Sequence, residues 1–139
     1  MMKIILPINK ATTLPALLVE YNLKNVELLY YLNDLQFEGM IAAEGVNIIK
    51  NPNDYLFIVE KTGVISFNFL VSNFKVVCAI IENEVVARLA KQHNNAKVLI
   101  FSSLVITDNL IAKCINEFIE QEFQEGRHLK RLEMLIKDE

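Results

Sequence analysis

The sequence predicts an α/β fold, a three-layer, Rossmann-like doubly wound sheet of about five parallel strands. Short apolar runs alternate along the chain with stretches of helical period. The run at residues 75–81 is apolar almost without a break, the pattern of a strand covered on both faces. Strands separated by helices imply parallel pairing, because each parallel crossover needs a right-handed helical return.

Residues 3–6 read as the first strand. Thr13, Leu14 and Pro15 open a helix, with threonine as its N-cap and proline in the first turn, where a missing N–H costs nothing. That helix carries Leu17, Leu18 and Tyr21 on one face. A loop at 22–25 leads to a strand at 26–31, and residues 37–50 form a helix diluted by Gly39 and Gly45. A turn at 51–54 precedes a strand at 55–59, and a turn at 61–63 precedes a short helix. Residues 83–93 are amphipathic through Val85, Val86, Leu89 and Ala90, and 98–101 is the fifth strand. Thr107 caps a long helix striped by Leu110, Ile111, Cys114, Ile115, Phe118 and Phe123, which Gly126 is placed to end.

The 139 residues suit a single domain spanning 1–139. An apolar share of 53% and a mean hydropathy of +0.28 exceed what one small core needs, so at least a dimer is expected. The net charge of −3 leaves no basic stripe for nucleic acid. The first apolar run stops at Pro7, too short for a membrane span or a signal peptide, so a cytoplasmic protein is expected. Cys78 and Cys114 lie within apolar segments and read as buried thiols, with no metal and no cofactor called for.

Ligands of doubly wound sheets bind outside the carboxyl ends of the strands, which points to the loops beginning at Pro7, Glu60, Glu82 and Ser102. Two stretches there and beyond are distinctive. Residues 87–99 contain His93-Asn94-Asn95-Ala96 just before a strand, and residues 123–131 contain Gly126-Arg127-His128-Leu129-Lys130-Arg131. Both motifs, at this separation, resemble those of the ribose-5-phosphate isomerase B and galactose-6-phosphate isomerase family. The spacing follows the family from Glu60 onward, over somewhat more than half the chain. Within it the subunit of galactose-6-phosphate isomerase without a catalytic cysteine is the most similar, through His93-Asn94-Asn95-Ala96 and Ser66-Phe67.

The resemblance implies interconversion of an aldose and a ketose phosphate, of the ribose-5-phosphate or galactose-6-phosphate type, through an enediolate. Such chemistry needs a base, oxyanion donors, a ring-opening group and cations for phosphate. Arg127 and Arg131, one helical turn apart, match the phosphate ligands, although such a pair also serves as a solvated basic face. His93 matches the ring-opening group and Asn94 its neighbour, and a histidine ending a helix also suits the helix dipole. The family's cysteine falls on Glu60, where a partly buried carboxylate can act as a base and an exposed one merely ends a strand.

Of the family's glycine-rich oxyanion loop only Thr62 and Gly63 are kept, and Ile65 is β-branched. Leu104 stands where the family has a third arginine, and Pro7-Ile8-Asn9-Lys10 where it has Gly-Ser-Asp-His, leaving Lys10 as a point charge for phosphate or for water. Three readings follow: an isomerase with weak or lost catalysis, a non-catalytic subunit, or a sugar-phosphate-binding protein. Family sites draw on two chains, so the expected partner is a second copy or a cysteine-bearing homologue, in a dimer or tetramer.

Overall fold

In the computed structural model, which describes residues 1–23 and 25–121, five parallel strands form one sheet in the order β2-β1-β3-β5-β4. They are β1 (Met2–Pro7), β2 (Val26–Tyr31), β3 (Tyr55–Glu60), β4 (Cys78–Ile80) and β5 (Val98–Ser102). The helices are α1 (Thr13–Glu20), α2 (Asp34–Lys50), α3 (Val64–Phe74), α4 (Glu84–Gln92) and α5 (Asp108–Glu120), with a 3-10 turn at Ile8–Lys10. The predicted class and the strand count hold.

Alternation along the strands builds two cores. Ile4, Leu6, Phe57, Val59, Leu99 and Phe101 face α1, α4 and α5, while Ile5, Leu56, Ile58, Val98 and Ile100 face α2 and α3. Because both faces are covered, the middles of β1, β3 and β5 are apolar, with Lys3, Glu60 and Ser102 near the strand ends, and each fully buried large side chain contributes about 1.5–3 kcal/mol.

The boundaries differ from expectation where side chains acted as caps. α2 begins at Asp34, because the Asn33 side chain accepts from the Gln36 N–H at 2.9 Å and satisfies the first turn. Thr13 is the first residue of α1 rather than its cap; Thr12 precedes it without a side-chain capping bond. Thr107 caps α5 as expected, accepting from the Leu110 N–H at 3.3 Å.

Two expectations are corrected. The run at 75–81 is not a strand covered on both faces. α3 reaches Phe74 and ends on Lys75 in the left-handed region, so only Cys78–Ile80 remain extended, at the sheet edge and paired with β5 alone. In α4 the inward face is Ala87, Ala90 and Lys91, while Val85 and Leu89 point outward. Ala87 and Ala90 join the core on that side of the sheet, and α4 is tied to α5 through Glu84–Lys113 and Arg88–Glu117 and through the Lys91 ammonium over the Phe118 ring. The stretch from Phe123 onward, with Gly126 and the basic closing segment, lies outside the described residues.

Candidate functional site

Register brings the ends of the central strands together: Pro7 pairs with Tyr31, and Glu60 with Ser102. Glu60 ends β3 only 4% exposed, and its Oε1 accepts from the Ser66 N–H at 3.3 Å. A carboxylate at the start of an 11-residue helix is favoured by the unpaired amides and the dipole there. Gly63 makes the turn possible. Its φ of 83° is left-handed, and an added Cβ would come within 3.2 Å of Ile100 Cγ2. Thr62 Oγ1 accepts from the Val64 N–H at 3.3 Å. Two amides at this turn are thus taken by the chain's own oxygens.

Around Glu60 stand groups that the sequence did not single out for chemistry. The Tyr31 hydroxyl donates to the Val59 carbonyl at 2.8 Å. Burial, then the charge of Glu60, then that of Asp34, push this phenol up to about 12. Ser102 Oγ donates to the Lys61 carbonyl at 2.7 Å, and the Ser103 N–H to the Glu60 carbonyl at 2.8 Å. Ser66 is fully buried, and its Oγ has no hydrogen-bond partner among the described residues. Tyr31 sat in an apolar strand with no motif to mark it; its position as the last residue of β2 was the only available signal.

Lys10 stands on the same end of the sheet, after β1. Its ammonium forms an ion pair with Asp108 Oδ1, and Thr13 Oγ1 donates to Asp108 Oδ2 at 2.6 Å. A depression of about 540 Å³ opens beside the pair, lined also by Ser103, Leu104, Thr107 and Asn109. Exposed aliphatics rim this end: Ile8, Leu32, Leu35, Val64, Ile65, Leu104 and Val105.

His93 and Asn94 lie at the other end. α4 runs back along the sheet, and His93 follows its last turn with its N–H bonded to the Leu89 carbonyl at 2.9 Å. Four residues on, the Lys97 carbonyl accepts from the Leu56 N–H at 2.9 Å, at the start of β3. Glu60 closes that strand, roughly 3.3 Å per residue further along. The structure therefore gathers Glu60, Thr62, Gly63 and Lys10 at the carboxyl end and places exposed His93 and Asn94 at the amino end. Arg127 and Arg131 lie outside the described residues. Among the described residues no cluster of three histidine, cysteine, aspartate or glutamate side chains suits a metal ion. No described helix is long and apolar enough to cross a membrane.

The sequence profile of the ribose/galactose isomerase family matches residues 21–135. A probable ribose-5-phosphate isomerase B of Mycoplasma genitalium is 39% identical over 64 residues, which are 46% of this chain and 42% of that protein, less than half its length. The galactose-6-phosphate isomerase subunit LacA of Streptococcus mutans serotype c is 26% identical over 104 residues, 75% of this chain and 73% of its own. The crystal structure of the Mycoplasma genitalium ribose-5-phosphate isomerase B, solved with bound ribulose-5-phosphate, superimposes with a TM-score of 0.72 and 25% identity, covering 97% of this chain and 93% of that one. The type B enzyme of Leishmania infantum shares the fold at a TM-score of 0.73 and 20% identity, covering 96% and 93%. The profile match covers most of the chain and the fold likeness nearly all of it: this chain belongs to the ribose/galactose isomerase family.

Proposed function

We propose that the chain serves the isomerisation of a pentose or hexose phosphate through a site assembled from two chains. The observation that carries this reading is the separation of Glu60 and His93 to opposite ends of one sheet. A single chain cannot present both to one sugar, whereas the carboxyl end of one copy can meet the amino end of another. The exposed aliphatics around the carboxyl end favour such a meeting.

In this reading Glu60 takes the proton from C2, α to the carbonyl, and returns it to C1, while the O2 hydroxyl proton passes to O1, so that the aldose becomes the ketose through an enediolate. His93 of the second chain moves the ring proton that opens the sugar, and Asn94 orients it. Arg127 and Arg131 hold the phosphate. The turn at Thr62 and Gly63 is the remaining oxyanion element. Its Val64 amide is bonded to Thr62 Oγ1, and the Ser66 amide to Glu60, so few donors are left for an enediolate. Loss of one oxyanion donor costs on the order of a hundredfold or more in rate, so turnover by this chain alone is expected to be weak.

A second reading follows from the same bonds: the chain completes the site of a cysteine-bearing homologue without its own chemistry. The test is turnover of ribose 5-phosphate and galactose 6-phosphate by the chain alone, by Glu60→Gln, and by the chain mixed with such a homologue. Turnover abolished by Glu60→Gln supports the first reading. Turnover that appears only in the mixture, and is lost with His93→Ala, supports the second. A protein that neither isomerises nor binds these sugars in any mixture defeats both.

A further inference from the structure

At the carboxyl end of the sheet the chain has placed its own carboxylate where an anionic ligand would be held. The Lys10 ammonium and the Thr13 hydroxyl converge on the two oxygens of Asp108, one group on each. Lys10 and Asp108 are both mostly buried, with side chains 19% and 17% exposed, so water screens their attraction less than it would on an open surface. Asp108 is also the first residue of the 13-residue helix α5, directly after the Thr107 cap, where negative charge is favoured. The arrangement is fixed from three elements: the turn after β1, the first turn of α1 and the start of α5. The 540 Å³ depression beside it gives a free anion room to reach the same donors.

We infer that Asp108 is an internal occupant of an anion site built by Lys10 and Thr13, and that it determines specificity by keeping phosphate out of it. With Asp108 in place, Lys10 is neutralised and the depression presents paired charge and neutral hydroxyl and amide groups, a surface suited to the hydroxyls of a polyol rather than to its phosphate. The phosphate of a substrate would then have to be held from elsewhere. The inference rests on the preceding reading only in taking this edge as the substrate-facing one. Its measurement is binding, not turnover.

The test is titration of the full chain with inorganic phosphate, followed by calorimetry and by the shift in thermal unfolding. Asp108→Asn removes the charge and keeps the shape, and is expected to bind phosphate at least about tenfold more tightly than the natural chain, the scale of one charge-assisted contact regained. Adding Lys10→Met to Asp108→Asn is expected to abolish the gain. Asp108→Ser, with a residue tolerated at a helix start, is the second variant should the amide disturb the fold. No gain in either single variant overturns the inference, as does a gain that survives Lys10→Met. A chain that isomerises nothing but gains phosphate binding on Asp108→Asn would overturn the enzyme reading and leave this one standing.

Discussion

The two ends of the sheet settle their charges with different partners. At the carboxyl end two carboxylates are answered from within the chain: Glu60 by the Ser66 amide, Asp108 by Lys10 and Thr13. At the amino end Lys3 pairs with Glu44 at 3.1 Å and the Met1 ammonium with Asp54 at 2.7 Å, while two further lysines lie over aromatic rings. Lys91, 8% exposed, sets its ammonium 3.9 Å from the centre of the Tyr55 ring and 4.6 Å from that of Phe118, and the Lys97 ammonium lies 4.7 Å from the same Tyr55 ring. His93 and Asn94 are exposed beside them in sequence. Buried charge that is answered from within the chain tends to stay fixed. The carboxyl end thus answers carboxylates with a cation, a hydroxyl and an amide, and the amino end adds aromatic faces as partners for its lysines.

The contrast can be broken at its weakest supports. The largest effect is expected from Phe118→Ala. Phe118 is fully buried, stacks edge-on to Tyr55 and Phe57 at 5.3 and 5.8 Å, and underlies Lys91. Its loss should cost about 3–5 kcal/mol in denaturant unfolding. A cost below about 1 kcal/mol would show that the amino end does not depend on this aromatic group. At the carboxyl end Gly63→Ala should cost about 1–3 kcal/mol, from its left-handed backbone and the close approach to Ile100. Thr107→Ala, which removes the α5 cap beside Asp108, should cost about 1 kcal/mol.

A smaller and pH-dependent effect separates the groups themselves. Tyr31 is pushed from 10.0 to about 12, and Cys78 and Cys114 from 9.0 to about 12 and about 11, burial being the first cause in each. The folded state holds these protons more tightly than the unfolded chain. The stability they contribute is therefore complete below pH 9 and is lost as pH climbs through 9 toward 12. Tyr31→Phe should flatten the fall in unfolding free energy above pH 10. Glu60→Gln should flatten it less, since Glu60 is the second cause at Tyr31. An unchanged slope in Tyr31→Phe would remove the electrostatic link between β2 and Glu60. The smallest effect is expected for Arg88→Ala, whose exposed pair with Glu117 at 3.9 Å should be worth under about 0.5 kcal/mol.

The sequence by itself determined the class, the number of strands and most helix positions, because these depend on local period and on capping residues such as Thr107. It also marked Glu60, Thr62 and Gly63 as one turn, since they are neighbours along the chain. It did not decide which face of α4 turns inward, since the buried residues are Ala87, Ala90 and Lys91 and not the larger Val85 and Leu89. It did not show that β4 would be a short edge strand, because pairing partners are set by sheet order and not by composition. Only the tertiary structure parted His93 from Glu60 and joined Lys10 to Asp108, 98 positions away. Charge and hydrogen bonding act through space over a few ångströms, and the fold alone decides which distant residues come within that reach.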